Sequence, residues 1–115
     1  MTKSWGERKK VDAAVSPQPR GLCVIVRGEA VEGLDEEVVR LLAELSDNVR
    51  RNESGCLSYV ATRVIGSKTH FAIHARFTGW IAFHRHAQTP HMRKAMPLLT
   101  ALMASPVTLE IFLEM

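Results

Sequence analysis

From Leu34 to about Arg51 the apolar residues Leu34, Val38, Leu41, Leu42, Leu45 and Val49 recur at helical spacing. Asp35, Glu36 and Glu37 open this segment and Arg50 and Arg51 close it, in the order that complements a helix macrodipole. A helix apolar along one stripe only has to lie on a flat apolar surface, and the neighbouring sequence offers one. Just before it, across Gly33, Leu22-Cys23-Val24-Ile25-Val26 is a continuous apolar run. It is too short for a helix and rich in β-branched residues, so it predicts a strand buried on both faces.

The rest of the chain continues the alternation. Glu53-Ser54-Gly55 turns the backbone, Cys56 to Ile65 predicts a second strand, and Gly66-Ser67-Lys68 a hairpin connection. Thr69 to Phe77 predicts a third strand, with Phe71, Ile73, Ala75 and Phe77 on one face and His70, Ala72, His74 and Arg76 on the other. Thr78-Gly79 and Thr89-Pro90 read as helix entries, giving a short helix from about Gly79 to Ala87 and a new one from Pro90. Met92, Ala95, Met96, Leu99, Leu102 and Met103 keep the second stripe, with Pro97 expected to kink or restart it, and Ser105-Pro106 ends it. Val107 to Glu114 alternates as a last strand. Strand, helix, strand, strand, helix, strand is the split βαβ order of an α+β ferredoxin-like sandwich, with helices on one face of an antiparallel sheet. That order places a third strand between the first and second, so Cys23 and Cys56 should not bridge. The sheet's other face is left for a second copy to cover, which predicts a homodimer built sheet to sheet.

Composition narrows the function. One domain fits in 115 residues. The net charge of +3 comes from the first twenty residues, where Lys3, Arg8, Lys9, Lys10 and Arg20 face only Glu7 and Asp12. The remaining ten basic and ten acidic residues balance, so the domain lacks the basic face that nucleic acid requires. Residues 1–20, ending in Ser16-Pro17-Gln18-Pro19, read as an extension and linker before a domain spanning 21–115. No membrane-length apolar run or signal core is present, and two cysteines make no disulfide framework, so a cytoplasmic, reducing setting is expected.

The chemistry concentrates between Phe77 and Met92. Trp80 and Phe83 form an apolar stripe that His86 continues, so His86 points inward. His91 falls in the first turn of the next helix, where the positive end of the dipole favours a neutral ring. Each also has a plain structural reading: His86 as a packed core group, His91 as a helix-end residue at the surface or against a partner, and Trp80, Phe83 and the methionines as core. His70 and His74 share a strand face without nearby carboxylates, and His84 and His86 diverge on their helix, so neither pair predicts a metal site. Arg27 and Arg76 suit an anionic substrate oxygen or ordinary ion pairs, and Tyr59 a substrate hydrogen bond or a strand end. No glycine fingerprint for a nucleotide, flavin or nicotinamide occurs.

From Gly21 to Met115 the chain resembles the antibiotic biosynthesis monooxygenase domain, a dimeric α/β-barrel group that includes quinol and anthrone oxygenases. The resemblance rests on Val31-Glu32-Gly33 before the acidic helix start, on Glu53-Ser54-Gly55-Cys56-Leu57-Ser58-Tyr59, and most specifically on His86-Ala-Gln-Thr-Pro-His91. It implies a cofactor-independent monooxygenase that acts with dioxygen on a small hydroquinone or anthrone. His91 or His86 would be the base, with Arg27, Tyr59 and Arg76 as oxyanion partners and Trp80 and Phe83 against the ring. Where the family usually has Glu and then Trp at the end of the third strand, this chain has Ala75 and Phe77. Related haem-degrading enzymes carry an Asn where Val26 stands, so the resemblance does not extend to haem cleavage. A non-catalytic dimeric binding module, and an isomerase or processing enzyme for a small oxygenated metabolite, are the alternative readings.

Overall fold

The structure, a computed structural model, describes residues 20–115; the expected extension lies outside them, except for Arg20. The elements are β1 (Leu22–Glu29), α1 (Asp35–Asn52), β2 (Cys56–Arg63), β3 (His70–Phe77), α2 (Trp80–Ala87), α3 (Pro90–Leu102) and β4 (Thr108–Leu113). The sheet runs β2-β3-β1-β4 and every neighbouring pair is antiparallel. This is the expected ferredoxin-like α+β fold. Because β3 separates β1 from β2, Cys23 and Cys56 lie on non-adjacent strands, and both are free thiols.

Alternation along the strands sends Leu22, Val24, Phe71, Ile73, Ala75, Phe77 and Tyr59 to the helix side, where all are buried. Val38, Leu42, Leu45 and Val49 of α1 close over them. The predicted stripe is therefore the stripe that packs, with Leu41 at its half-buried margin. The Arg50 guanidinium, in the last turn of α1, donates to the Tyr59 carbonyl at 3.0 Å and fixes the helix end to β2. Gly66 takes a left-handed φ of 86° in the β2–β3 turn, a conformation that a side chain would strain.

Two local expectations change. Gly79, not Thr78, occupies the N-cap of α2, and no side chain caps that helix. Helix α3 runs unbroken through Pro97, which gives up only the one hydrogen bond its missing N–H would have made to the preceding turn. The Thr89 prediction holds: its Oγ1 accepts from the Met92 N–H at 3.3 Å, with Pro90 following. Among the described residues no helix is long and apolar enough to cross a membrane.

Leu45 is 3% exposed and sits mid-stripe, so Leu45→Ala should lower unfolding free energy by about 2 to 5 kcal/mol in urea denaturation. A loss below about 1 kcal/mol would mean that this side chain does not contribute to the core.

Candidate functional site

Helix α1 ends at Asn52, and the next residue, Glu53, is its C-cap, with its backbone N–H bonded to the Val49 carbonyl. That cap turns the Glu53 side chain inward, beneath α2 and α3, where the carboxylate is only 8% exposed. His86 Nδ1 donates to its two oxygens at 2.8 and 3.0 Å. His91 Nε2 lies 2.5 Å from Oε2. One buried carboxylate thus bridges the two histidines that stand on either side of the α2–α3 turn. A buried carboxylate needs such donors, because an unpaired one would cost several kcal/mol. Thr89 locks the turn between the histidines from both directions, since its hydroxyl also donates to the His86 carbonyl at 2.9 Å.

On the other side of His86 is a cavity of about 250 Å³ between the sheet and the helices. Its wall includes Tyr59, Phe83, Ala75, Phe77, Met92 and Met96, and among the described residues the imidazole and the phenol are the only groups in it able to exchange a proton. The His86 ring packs 5.0 Å from Phe77 and 5.6 Å from Tyr59, centroid to centroid. Burial lowers the His86 pKa below its ordinary value, against a weaker upward pull from Glu53. Burial likewise raises the Tyr59 phenol well above its usual range, so it is a hydrogen-bond donor and not a phenolate at neutral pH. Cys56, beside Glu53, is pushed up to about 11 by burial and by that carboxylate, and its thiol donates to the Ser58 carbonyl. Among the described residues no set of three His, Cys, Asp or Glu converges as metal ligands would, so Glu53, His86 and His91 stand as a hydrogen-bonded chain.

Three of the sequence-predicted residues therefore meet at one cavity: Tyr59, Phe83 and His86. His91 stands one residue further out, behind Glu53. Against expectation, Arg27 and Arg76 do not reach the cavity, because strand alternation sends them to the opposite face of the sheet. There Arg27 pairs with Glu110, and Arg76 binds Glu114 at 2.6 and 3.2 Å. Trp80 is 53% exposed on the outer side of α2, in edge contact with Phe83, and is not part of the cavity wall either. Glu53 was missed in the sequence as a functional residue. It reads there as part of a turn, and the only signal was its place in the Glu-Ser-Gly-Cys segment.

The family model for antibiotic biosynthesis monooxygenase matches residues 21–98, which takes in β1, the Glu53 turn and both histidines. The chain belongs to the antibiotic biosynthesis monooxygenase family. Its fold recurs in a Caulobacter crescentus protein provisionally described as such a monooxygenase (19% identity, 85% of this chain and 92% of that one, TM-score 0.80). It recurs also in a Pseudomonas aeruginosa protein (23% identity, 85% and 97%, TM-score 0.77). A third neighbour, from Bacteroides thetaiotaomicron, is described as of unknown function and a possible oxidoreductase (19% identity, 83% and 98%, TM-score 0.77). At these identities the likeness establishes the fold. No curated protein matches the chain. Family membership supports an oxidoreductase-type role.

The lowered pKa of His86 has a consequence for stability. Between its ordinary value of 6.5 and the lower folded value, the unfolded chain holds more protons than the folded one. This group's contribution therefore falls as pH drops below about 6.5 and is fully lost below the folded pKa. The urea midpoint of the wild type should decrease from pH 7 to pH 5, and His86→Gln should flatten that decrease. An equal slope in both would remove His86 as its source.

Proposed function

We propose that the protein is a cofactor-independent monooxygenase that oxidises a small hydroquinone- or anthrone-type phenol with dioxygen, and that His86 is its base. The observation that carries this reading is the imidazole at the wall of an otherwise apolar cavity, with Nδ1 held by Glu53 and Nε2 left for a ligand. A carboxylate on Nδ1 fixes both the ring's orientation and its tautomer, as a positioned general base needs. Tyr59, kept protonated by burial, serves as the donor to the developing aryl oxyanion.

The chemistry closes without a further reactant. His86 takes the phenolic proton, and the aryl-oxide passes one electron to dioxygen. The aryloxyl radical and superoxide combine at a ring carbon as a peroxide. Reprotonation and loss of water, with the carbon's own hydrogen leaving as a proton, yield the quinone. An apolar wall suits both a flat aromatic and dioxygen, and it excludes the water that would quench the charged intermediates. Of the two histidines that the sequence offered as base, we take His86, because it lines the cavity whereas His91 lies behind Glu53.

We also propose a homodimer joined through the outward sheet face. That face carries Val60 and Phe112, 51% and 45% exposed, among the Arg27–Glu110 and Arg76–Glu114 pairs, and among the described residues no helix lies over it. Light scattering at micromolar concentration should give twice the chain mass, and a monomer would end this part of the reading.

Oxygen uptake with a panel of hydroquinones and anthrones, no cofactor added, tests the reaction. Turnover by the wild type should fall roughly a hundredfold or more in His86→Ala, since general bases contribute about 10²–10⁴-fold. Circular dichroism would establish that the variant is folded. A folded wild type inactive on the whole panel would instead favour a dimeric binding module.

A further inference from the structure

Of the three β3 side chains that line the cavity, Ile73 and Phe77 are large and Ala75 is not. Ala75 stands in the middle of the strand, level with Val24 on β1 and Tyr59 on β2, and both of those also line the cavity. Ile73 and Phe77 share its face two residues to either side. Cross-strand neighbours stand only about 5 Å apart, so the space above the Ala75 methyl is a hollow in the floor, walled by larger side chains. His86 hangs over its rim, because the imidazole packs 5.0 Å from Phe77 and 5.6 Å from Tyr59, two members of that wall. Toward β4 the cavity is open: Met96 of α3 and Leu109 of β4, which line it there, are 38% and 52% exposed. Among the described residues no Lys, Arg, Asp or Glu lines the cavity, so apolar contact holds the body of a ligand and shape decides what fits.

We infer that Ala75 is a specificity-determining residue: its single methyl makes the seat for the ring that carries the reacting hydroxyl, and the rest of the ligand extends toward the open side at β4. The inference rests on the proposed use of this cavity by a phenol. A cavity of about 150 Å³ takes one benzene ring. One of about 250 Å³ takes a ring and part of a second, and the open side leaves room for the remainder. A ring over Ala75 has Tyr59 and His86, the two polar members of the wall, at its edge. Valine at position 75 would put two further methyl groups where that ring lies. Val24 and Tyr59 flank the position on both strands and leave those methyls no space to turn aside, so the ring would have to withdraw toward β4 and away from the imidazole. Position 75 thus limits how deep a ring can sit beside the base, and it leaves the ligand's outward length free.

The full chain tests this with 2-naphthol as the probe, titrated calorimetrically into the wild type, Ala75→Val and Ala75→Gly. Valine should weaken binding by at least about tenfold, since a single methylene in an apolar pocket is already worth about 10- to 200-fold. Glycine deepens the hollow and should keep the affinity. A disturbance of packing alone would weaken binding in both variants, so their different responses separate a seat from a structural fault. An equal loss in both overturns the inference, as does undiminished binding by a folded Ala75→Val or a wild type that does not bind 2-naphthol. Should the valine variant fail to fold, Ala75→Cys adds one atom to the same hollow; it should also lose affinity, and unchanged binding there overturns the inference equally. Affinities that respond as expected in a chain without oxygen uptake would sink the proposed reaction and leave the seat standing. Turnover by a wild type whose affinity survives Ala75→Val would do the opposite.

Discussion

Everything about this site depends on burying one carboxylate. Glu53 sits at the end of α1, and its two histidine partners come from α2 and α3, so a single side chain fixes all three helices relative to the sheet. The cost of removing a charge from water is offset only while both donors are in place. That makes the arrangement all-or-nothing: with either imidazole gone, the carboxylate loses a donor it cannot replace from the apolar wall beside it. The hydrogen-bonded Thr89 turn carries the two donors as one piece, which is why a five-residue separation of histidines works here.

The same geometry divides the molecule into a dry side and a wet side. Sheet residues Val24, Val26, Ile73, Ala75 and Phe77 make the dry floor, and the helices supply the methionines and Phe83 above it. The small Ala75 side chain leaves room directly beneath His86's neighbours, where a Glu would have introduced a second charge. With Ala75 and Phe77 in those places, the titratable groups among the described residues at the cavity wall are the His86 imidazole and the Tyr59 phenol. The arginines that chemistry alone would have recruited for an oxyanion belong to the far face, where they hold carboxylates of β4 and of the C-terminal residues.

The fold was legible in the sequence because it is written in short-range periodicity. Val38, Leu42, Leu45 and Val49 announce a one-sided helix, the alternation from Phe71 to Phe77 announces a strand, and the Thr89-Pro90 pair announces a cap; each signal lies within a few neighbouring residues. The site was legible only in part. His86 could be placed inward from its stripe with Phe83, but Glu53 lies 33 residues from His86 and 38 from His91, and no local pattern reports a contact of that range. Of the two readings open for Arg27 and Arg76, a substrate oxygen or an ordinary ion pair, the structure has the ion pairs. Chemistry nominated them, whereas the two-residue period of their strands had already assigned them to the other face. Trp80 shows the same limit on a helix: an aromatic at the edge of a stripe looks like core until the width of the neighbouring layer is known.

Gly55 is two residues beyond Glu53, at the point where the turn passes closest to α2. A Cβ on Gly55 would stand 2.6 Å from the Ala82 Cβ, nearer than two carbons can approach. Positions 55 and 82 thus share the space of a single methyl group, and that methyl belongs to Ala82. A backbone carbonyl–amide bond from Gly55 to Thr78 at 2.9 Å holds the same seam shut. The Glu53–His86 distance is therefore set by steric contact between a loop and a helix, in the way that a spacer sets the gap of a vice. A side chain at position 55 would have to push α2 outward and draw its histidine away from the carboxylate, so a residue with no chemistry of its own is coupled to the Glu53–His86 hydrogen bond.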